Sequence, residues 1–305
     1  MYIVLLQMTA LILCGVIWRV IRPEGLDPVQ TRKVLTSLVY YLLLPALVLS
    51  VLWKAELGTN SVLIAASAAF GIFVGLVISS LTCRVCKLSS QEAGALILAA
   101  TFPNATYLGL PVLEATFGSW SRSVAIQYDL FACTPLLFTV GFWVAAKMGS
   151  KSSSRHASYL TLLRIPAIWA VFLALILNGL NVPIPTLIGD ILGLLDRGVV
   201  PLMLISLGLS LEWQSSRLKQ LPSLIPTILL TLFVIPALVL IFASLVGLDD
   251  KTLAPVVLEA AMPSMVLGVV ICDRFNLDVG LYATAVSVTT VLSLFSLPLW
   301  FSWLS

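Results

Sequence analysis

Residues 91–118 read QEAGALILAATFPNATYLGLPVLEATFG. The stretch exceeds the roughly 20 residues that cross a bilayer, and it is apolar at both ends. Its centre, Phe102-Pro103-Asn104-Ala105-Thr106, is one that a membrane helix should avoid. Proline has no backbone donor and its ring collides with the preceding turn. Asn and Thr add polar groups that hydrocarbon cannot satisfy. Residues 253–276, LAPVVLEAAMPSMVLGVVICDRFN, repeat the pattern around Met262-Pro263-Ser264. Two interrupted spans in corresponding places point to the binding site of a secondary transporter.

Composition agrees with a membrane protein. Of the 305 residues, 60% are hydrophobic and 10% charged, and the mean hydropathy is +1.08. Soluble domains carry about 25% charge. The net charge of +3 comes with no basic block interleaved with aromatics, so no nucleic-acid partner is expected. The five cysteines lie mostly in apolar runs. Cys83 and Cys86 form a CxxC, but no second pair or nearby His completes the four ligands that zinc takes, so no metal, cofactor or redox role is expected. The N-terminus lacks a basic leader and a small-residue cleavage site, and is expected to be a retained span.

Ten spans are expected, at about 2–21, 34–53, 61–81, 91–118, 123–146, 161–180, 187–211, 221–246, 252–273 and 279–303, taking about 20 apolar residues for each. Alternate loops carry Arg19, Arg22, Arg32 and Lys33; Arg84 and Lys87; Lys147, Lys151, Arg155 and Arg164; Arg217 and Lys219; and Arg274. The opposite loops hold only Lys54, Arg122 and Lys251. By the positive-inside rule both termini face away from the cytoplasm of a multi-pass protein in the cell (inner or plasma) membrane. The longest polar connection, around 147–160, contains the lone His156 and divides the chain into two halves, 1–146 and 161–305. Five spans per half invert the second half relative to the first, so the broken spans are the fourth of each. Pro45 followed by Ser50, and Pro201 by Ser206, echo one another in the second spans. The expected fold is thus all-α and polytopic, a 5+5 inverted repeat with two crossing, broken helices.

Both breaks fall near the bilayer midplane, where freed backbone groups must face protein or water. The second half-helices, from Ala105 and from Met265, would direct their N-terminal amides at one small volume, which suits an anion. Pro103, Asn104, Thr106, Pro263 and Ser264 are therefore the candidate substrate-binding residues. A lone proline would be read as a packing kink; the paired, polar, symmetry-related breaks are read as a site.

Few charges enter the spans, where each is a functional candidate. Asp129, Asp196, Arg197 and Glu259 lie at similar depth, about 12 Å from the outer ends at 1.5 Å per residue, and are expected to cluster outside the crossing. Glu259, one turn before Pro263, and Asp129 are candidates for proton coupling, since a carboxylate in low dielectric can take up and release a proton. Asp196 and Arg197 are read as an ion pair, while Glu114 and Arg122 are read as solvated. Gly109, Gly118 and Gly208 are candidates for close helix packing.

Asn104-Ala-Thr-Tyr107-Leu-Gly109-Leu-Pro111 resembles the N-x-x-Y-L-G-L-P signature of the auxin efflux carrier family. Ala261-Met262-Pro263, Asp273-Arg274-Phe275 and the Leu-Pro-Leu-Trp ending at Trp300 resemble its C-terminal signature. Bacterial members of this size are often labelled malate or malonate permeases. The resemblance implies a fold similar to that of bile-acid symporters, with spans 1, 2, 6 and 7 as scaffold and spans 3–5 and 8–10 as a crossover transport domain. It carries Asn104, Pro103 and Pro263 over as crossover site residues. Ser264 and Met265 stand where plant members often have Asn, which argues against an indole acid.

The expected function is a secondary carrier of a small organic anion, such as malate or malonate, by alternating access with proton coupling. A passive channel or substrate sensor of the same fold is the alternative. An enzyme is not expected, since no HExxH or GxSxG occurs. The candidate partners are the organic anion, the lipid bilayer and a second copy of the chain.

Overall fold

The computed structural model describes residues 2–55, 57–149, 165–211 and 221–304. Most of the expected linker, with His156, lies outside them, as do Lys151, Arg155, Arg164, Arg217 and Lys219. The regular elements among the described residues are helices. In chain order they are α1 (Tyr2–Ile21), α2 (Pro28–Leu52) and α3 (Thr59–Val85), α4 (Ser90–Thr101), α5 (Leu110–Phe117), α6 (Ser121–Met148), α7 (Pro166–Gly179), α8 (Thr186–Ser210) and α9 (Leu224–Leu245), α10 (Asp250–Ala260), α11 (Gly268–Phe275) and α12 (Val279–Leu304). Helices α2, α3, α6, α8, α9 and α12 are long and apolar enough to cross a membrane. Within α1, Leu6–Ile21 is a shorter apolar stretch, and α7 is another. The pairs α4/α5 and α10/α11 flank the two expected interruptions, at Pro103 and at Pro263.

Local signals explain where several helices begin. α2 starts earlier than hydropathy alone predicts, because Pro28 occupies the first turn and the Asp27 side chain accepts from the Gln30 amide at 2.9 Å. α4 opens with a capping box in which Ser89 and Glu92 satisfy each other's amides. α10 opens on Asp249, whose carboxylate accepts from the Thr252 amide at 2.7 Å.

Prolines inside the long helices leave a repeated mark. A wide π turn occupies Val39–Leu43, Ala105–Gly109, Asp129–Cys133 and Leu230–Val234. Each ends two residues before a proline: Pro45, Pro111, Pro135 and Pro236. The ring cannot donate and crowds the carbonyl four residues earlier, and widening the turn relieves that contact. The carbonyl four residues before Pro236 belongs to Leu232, and it accepts a hydrogen bond from the buried Trp300 indole at 2.8 Å. The polar backbone group released by the proline is thereby satisfied away from water.

Three clusters of buried side chains organise the packing. One joins α3, α4, α6, α9, α10, α11 and α12 through residues such as Ile72, Leu96, Tyr128, Val239, Val256 and Tyr282. A second joins α2, α7 and α8, with part of α6, through Leu47, Ala170, Met203 and Ile126. The third joins α1 and α8 to α5, α10 and α12 through Met8, Leu204, Leu113, Val257 and Leu297. α1 and α8 approach closely at Gly15 and Gly208, where an added Cβ on either would overlap the other helix's backbone. The C-terminal carbonyls of Leu52 and Trp53 at the end of α2, and that of Ala55, are collected by the Asn178 amide at 3.1, 2.9 and 2.8 Å. Of the three glycines expected at close contacts, Gly208 and Gly109 pack tightly, whereas Gly118 turns the chain at φ 93°.

Candidate functional site

The two breaks meet. Pro103 and Ser264 form an isolated antiparallel bridge, with the Asn104 amide donating to the Pro263 carbonyl at 2.8 Å and the Met265 amide donating to the Phe102 carbonyl at 3.1 Å. Pro263 has no N–H to extend the pairing at one end, and at the other the Phe102 amide already donates to the Leu98 carbonyl at 3.2 Å, so the pairing stops at these two bonds. Pro103, Asn104, Pro263 and Ser264 are all buried. The structure therefore brings the four together, and Thr106 stands just beyond them in the first π turn.

The half-helices beyond the breaks differ from expectation on one side. The first resumes at once: the Asn104 carbonyl accepts from the Leu108 and Gly109 amides at 3.2 and 3.0 Å. The second does not start at Met265, where backbone groups are held by other segments, the Met265 amide by the Phe102 carbonyl. Ser264 N–H donates to the Thr289 hydroxyl at 3.2 Å, and the Met265 carbonyl accepts from the Tyr282 hydroxyl at 2.8 Å. Regular helix begins only at Gly268, where the missing side chain makes room for the Tyr282 ring. Thr289 and Tyr282 thus build the crossing, and no sequence pattern in α12 marked them.

Several polar atoms at the crossing are left over. The Asn104 side-chain amide nitrogen and the Ser264 hydroxyl are buried with no hydrogen-bond partner among the described residues. Asn104 is 2% exposed and Ser264 fully buried. Such groups are costly in a low-dielectric interior unless a ligand, water or alternative conformation satisfies them.

The acids do not form one cluster. Asp129 lies in the π turn before Pro135; the Thr106 hydroxyl donates to one of its oxygens and the Thr134 hydroxyl to the other at 3.0 Å. Glu259 is completely buried, and neither carboxylate oxygen has a hydrogen-bond partner among the described residues. Its carboxylate rests against Gly109, where a Cβ would collide with it. Asp129 and Glu259 lie near enough to act on each other electrostatically. Both therefore border the crossing.

Asp196 and Arg197 lie elsewhere and do not pair with each other. Consecutive helical residues point about 100° apart and cannot face one another. Asp196 instead binds Arg122 of α6, which also approaches Glu114 of α5 at 3.6 Å. The Arg122 side chain is only 13% exposed, so it is not the solvated end group that its place in the sequence suggests. Arg197 is exposed and makes no ion pair among the described residues. Together these residues border a cavity of about 590 Å³ between α1, α5, α6 and α8.

No group of three or more His, Cys, Asp and Glu side chains suited to a metal ion occurs among the described residues. Cys83 and Cys86 are unpaired thiols.

The chain as a whole is similar to known transporters. Residues 3–301 match the family described as Membrane transport protein. A relative named as an uncharacterised transporter of Methanothermobacter thermautotrophicus is 31% identical over 300 residues, 97% of this chain and 95% of its own length. A second uncharacterised transporter, of Methanocaldococcus jannaschii, is 26% identical over 288 residues, covering 90% and 91% of the two chains. A third, of Escherichia coli, is 22% identical over 218 residues, 70% of this chain and 69% of its own. With its apolar helices, bridged breaks and near full-length match, the chain belongs to the membrane transport protein family of the auxin efflux carrier type, and is a multi-pass membrane transporter rather than an enzyme.

Proposed function

We propose that the protein is a secondary carrier of a small organic anion, such as malonate or malate, bound at the crossing of the two broken spans and coupled to protons. The observation that carries this reading is the pair of buried, partner-free groups at the crossing, the Asn104 amide and the Ser264 hydroxyl. Both can donate a hydrogen bond to a carboxylate. The first-turn amides at Ala105 and Thr106 add donors that helical geometry leaves unpaired within their own helix.

The coupling ion follows from the neighbouring acids. A substrate carboxylate entering this volume meets Asp129 and Glu259, and like charges repel strongly where water is scarce. Protonation of one acid removes most of that repulsion, so substrate and proton are expected to load together. Glu259 is the preferred carrier of the proton because no donor holds its charge, whereas Thr106 and Thr134 stabilise the charge on Asp129.

In this reading the chain is a ten-span 5+5 inverted repeat with both termini outside the cytoplasm. α1, α2, α7 and α8 form the scaffold, and α3–α6 with α9–α12 move against it. The α2/α7/α8 cluster and the glycine-packed contact of α1 with α8 support the scaffold grouping, while the third cluster is the layer at which it meets α5, α10 and α12. Uptake of labelled malonate into proteoliposomes, with and without an inward proton gradient, tests the reading. Saturable uptake that the gradient drives above equilibrium is expected. Non-saturable flux would mark a channel, and binding without flux a sensor; either overturns the carrier. Saturable flux indifferent to the gradient overturns the coupling alone.

A further inference from the structure

We propose that the cavity beside Arg122 is a second anion site, a loading vestibule in which a small carboxylate is held before it reaches the crossing. This rests on the carrier reading for its ligand class, and its own grounds are separate. The volume of about 590 Å³ lies within the range of small-molecule pockets, about 300–1,000 Å³. Its wall carries two guanidinium groups, Arg122 and Arg197, and two carboxylates, Glu114 and Asp196. The wall is neutral overall, and with both carboxylates committed to Arg122, Arg197 is the guanidinium that carries no ion pair among the described residues and faces a ligand unneutralised. The Arg122 Nε is buried without a hydrogen-bond partner, leaving a donor on the same planar group. Guanidinium is the side chain best shaped for two-point recognition of a carboxylate.

Location gives the cavity its place in a transport path. Pro111 and Glu114 on its wall belong to α5, and Pro111 is seven residues, about 10 Å of helix, beyond Asn104. Met8 and Leu204 also line it, and both belong to the apolar cluster that contains Leu108 and Met262, the latter next to Pro263. A packed apolar layer therefore separates the vestibule from the crossing. The Arg122–Asp196 pair ties α6 to α8 across the same cavity. A carboxylate that takes the place of Asp196 on Arg122 would load the vestibule and release that tie in one event.

The prediction has opposite signs at neighbouring residues, which a merely structural ion pair would not give. Malonate binding is measured by calorimetry on the full chain in nanodiscs, in an Asn104→Ala, Ser264→Ala background that removes both side-chain donors of the crossing. Residual binding is expected there, weakened about tenfold by Arg197→Gln and tightened several-fold by Asp196→Asn, which stops competing for Arg122. If Asp196→Asn fails to fold, Glu114→Gln relieves the same competition from α5 and is expected to shift binding in the same direction. Loss of all malonate binding in the doubly substituted background overturns the vestibule while leaving the crossing reading intact, as does residual binding that Arg197→Gln leaves unchanged. Vestibule binding without any flux in the wild-type protein overturns the carrier reading and leaves the vestibule standing. A wild-type protein that neither binds nor carries malonate overturns both.

Discussion

The two breaks look alike in sequence, proline followed by a small polar residue in an apolar span, yet they are built differently. The first spans Phe102 to Asn104 and re-enters helix through one π turn closed by the Asn104 carbonyl. The second runs from Ala261 to Leu267, and α12 props it through Thr289 and Tyr282. The first break is self-supporting; the second borrows its support. Their acids differ in the same sense. Asp129, beside the first, is hydrogen-bonded by two threonines, whereas Glu259, before the second, has no partner. Two breaks that share a sequence pattern are thus held differently, one acid fixed by hydrogen bonds and the other without them among the described residues.

The largest effect that sharpens this contrast is expected at the acids. Glu259→Gln should abolish malonate accumulation driven by a pH gradient while sparing exchange, and Asp129→Asn should reduce accumulation without abolishing it. Proteoliposome uptake decides, and the reverse order would assign the mobile proton to the first break. Gly109→Ala pushes a methyl into the Glu259 carboxylate, and overpacking of this kind costs about 1–3 kcal/mol. Thermal unfolding in detergent measures that loss, and the double variant with Glu259→Ala should recover much of it. Asn104→Ala should raise KM for malonate about tenfold, by loss of a hydrogen bond to a charged ligand. Ser264→Ala should raise it about threefold on the same scale, since a hydroxyl offers one donor where the amide offers two. Equal effects would make the two breaks equivalent at the ligand. The smallest change is expected for Tyr282→Phe, which loses only the bond to the Met265 carbonyl, worth about 0.5–1.5 kcal/mol. A Thr289→Val variant tests the other prop by the same unfolding measurement.

Hydropathy and the two proline-polar interruptions made the helical membrane fold and the bridged residues legible, because a midspan proline leaves few places where its neighbours can satisfy their backbones. The capped start of α2 at Asp27 was also written in the chain, although an apolar window alone misses it. Side-chain partnerships were not legible. Asp196 and Arg197 are adjacent in sequence and diverge on the helix, while Arg122, far away in the chain, closes the pair. Glu259 was visible as an intramembrane acid, but its resting place on Gly109 depends on how α10 crosses the π turn. The late start of α11 escaped notice for a similar reason: the groups that occupy the Ser264 and Met265 amides come from α12 and from Phe102.

The two-bond bridge also constrains how the crossing can fail. Elsewhere a short pair of extended segments can slip by a residue and pair again, moving every side chain to the opposite face. At this crossing a slip would bring Pro103 or Pro263 to a position that requires an N–H, and neither has one. The prolines therefore act as register stops, admitting a single alignment and barring any longer ladder inside the membrane. The bridge ties the two breaks to each other, and the hydrogen-bonded Asn104 and Met265 amides are expected to exchange slowly with deuterium.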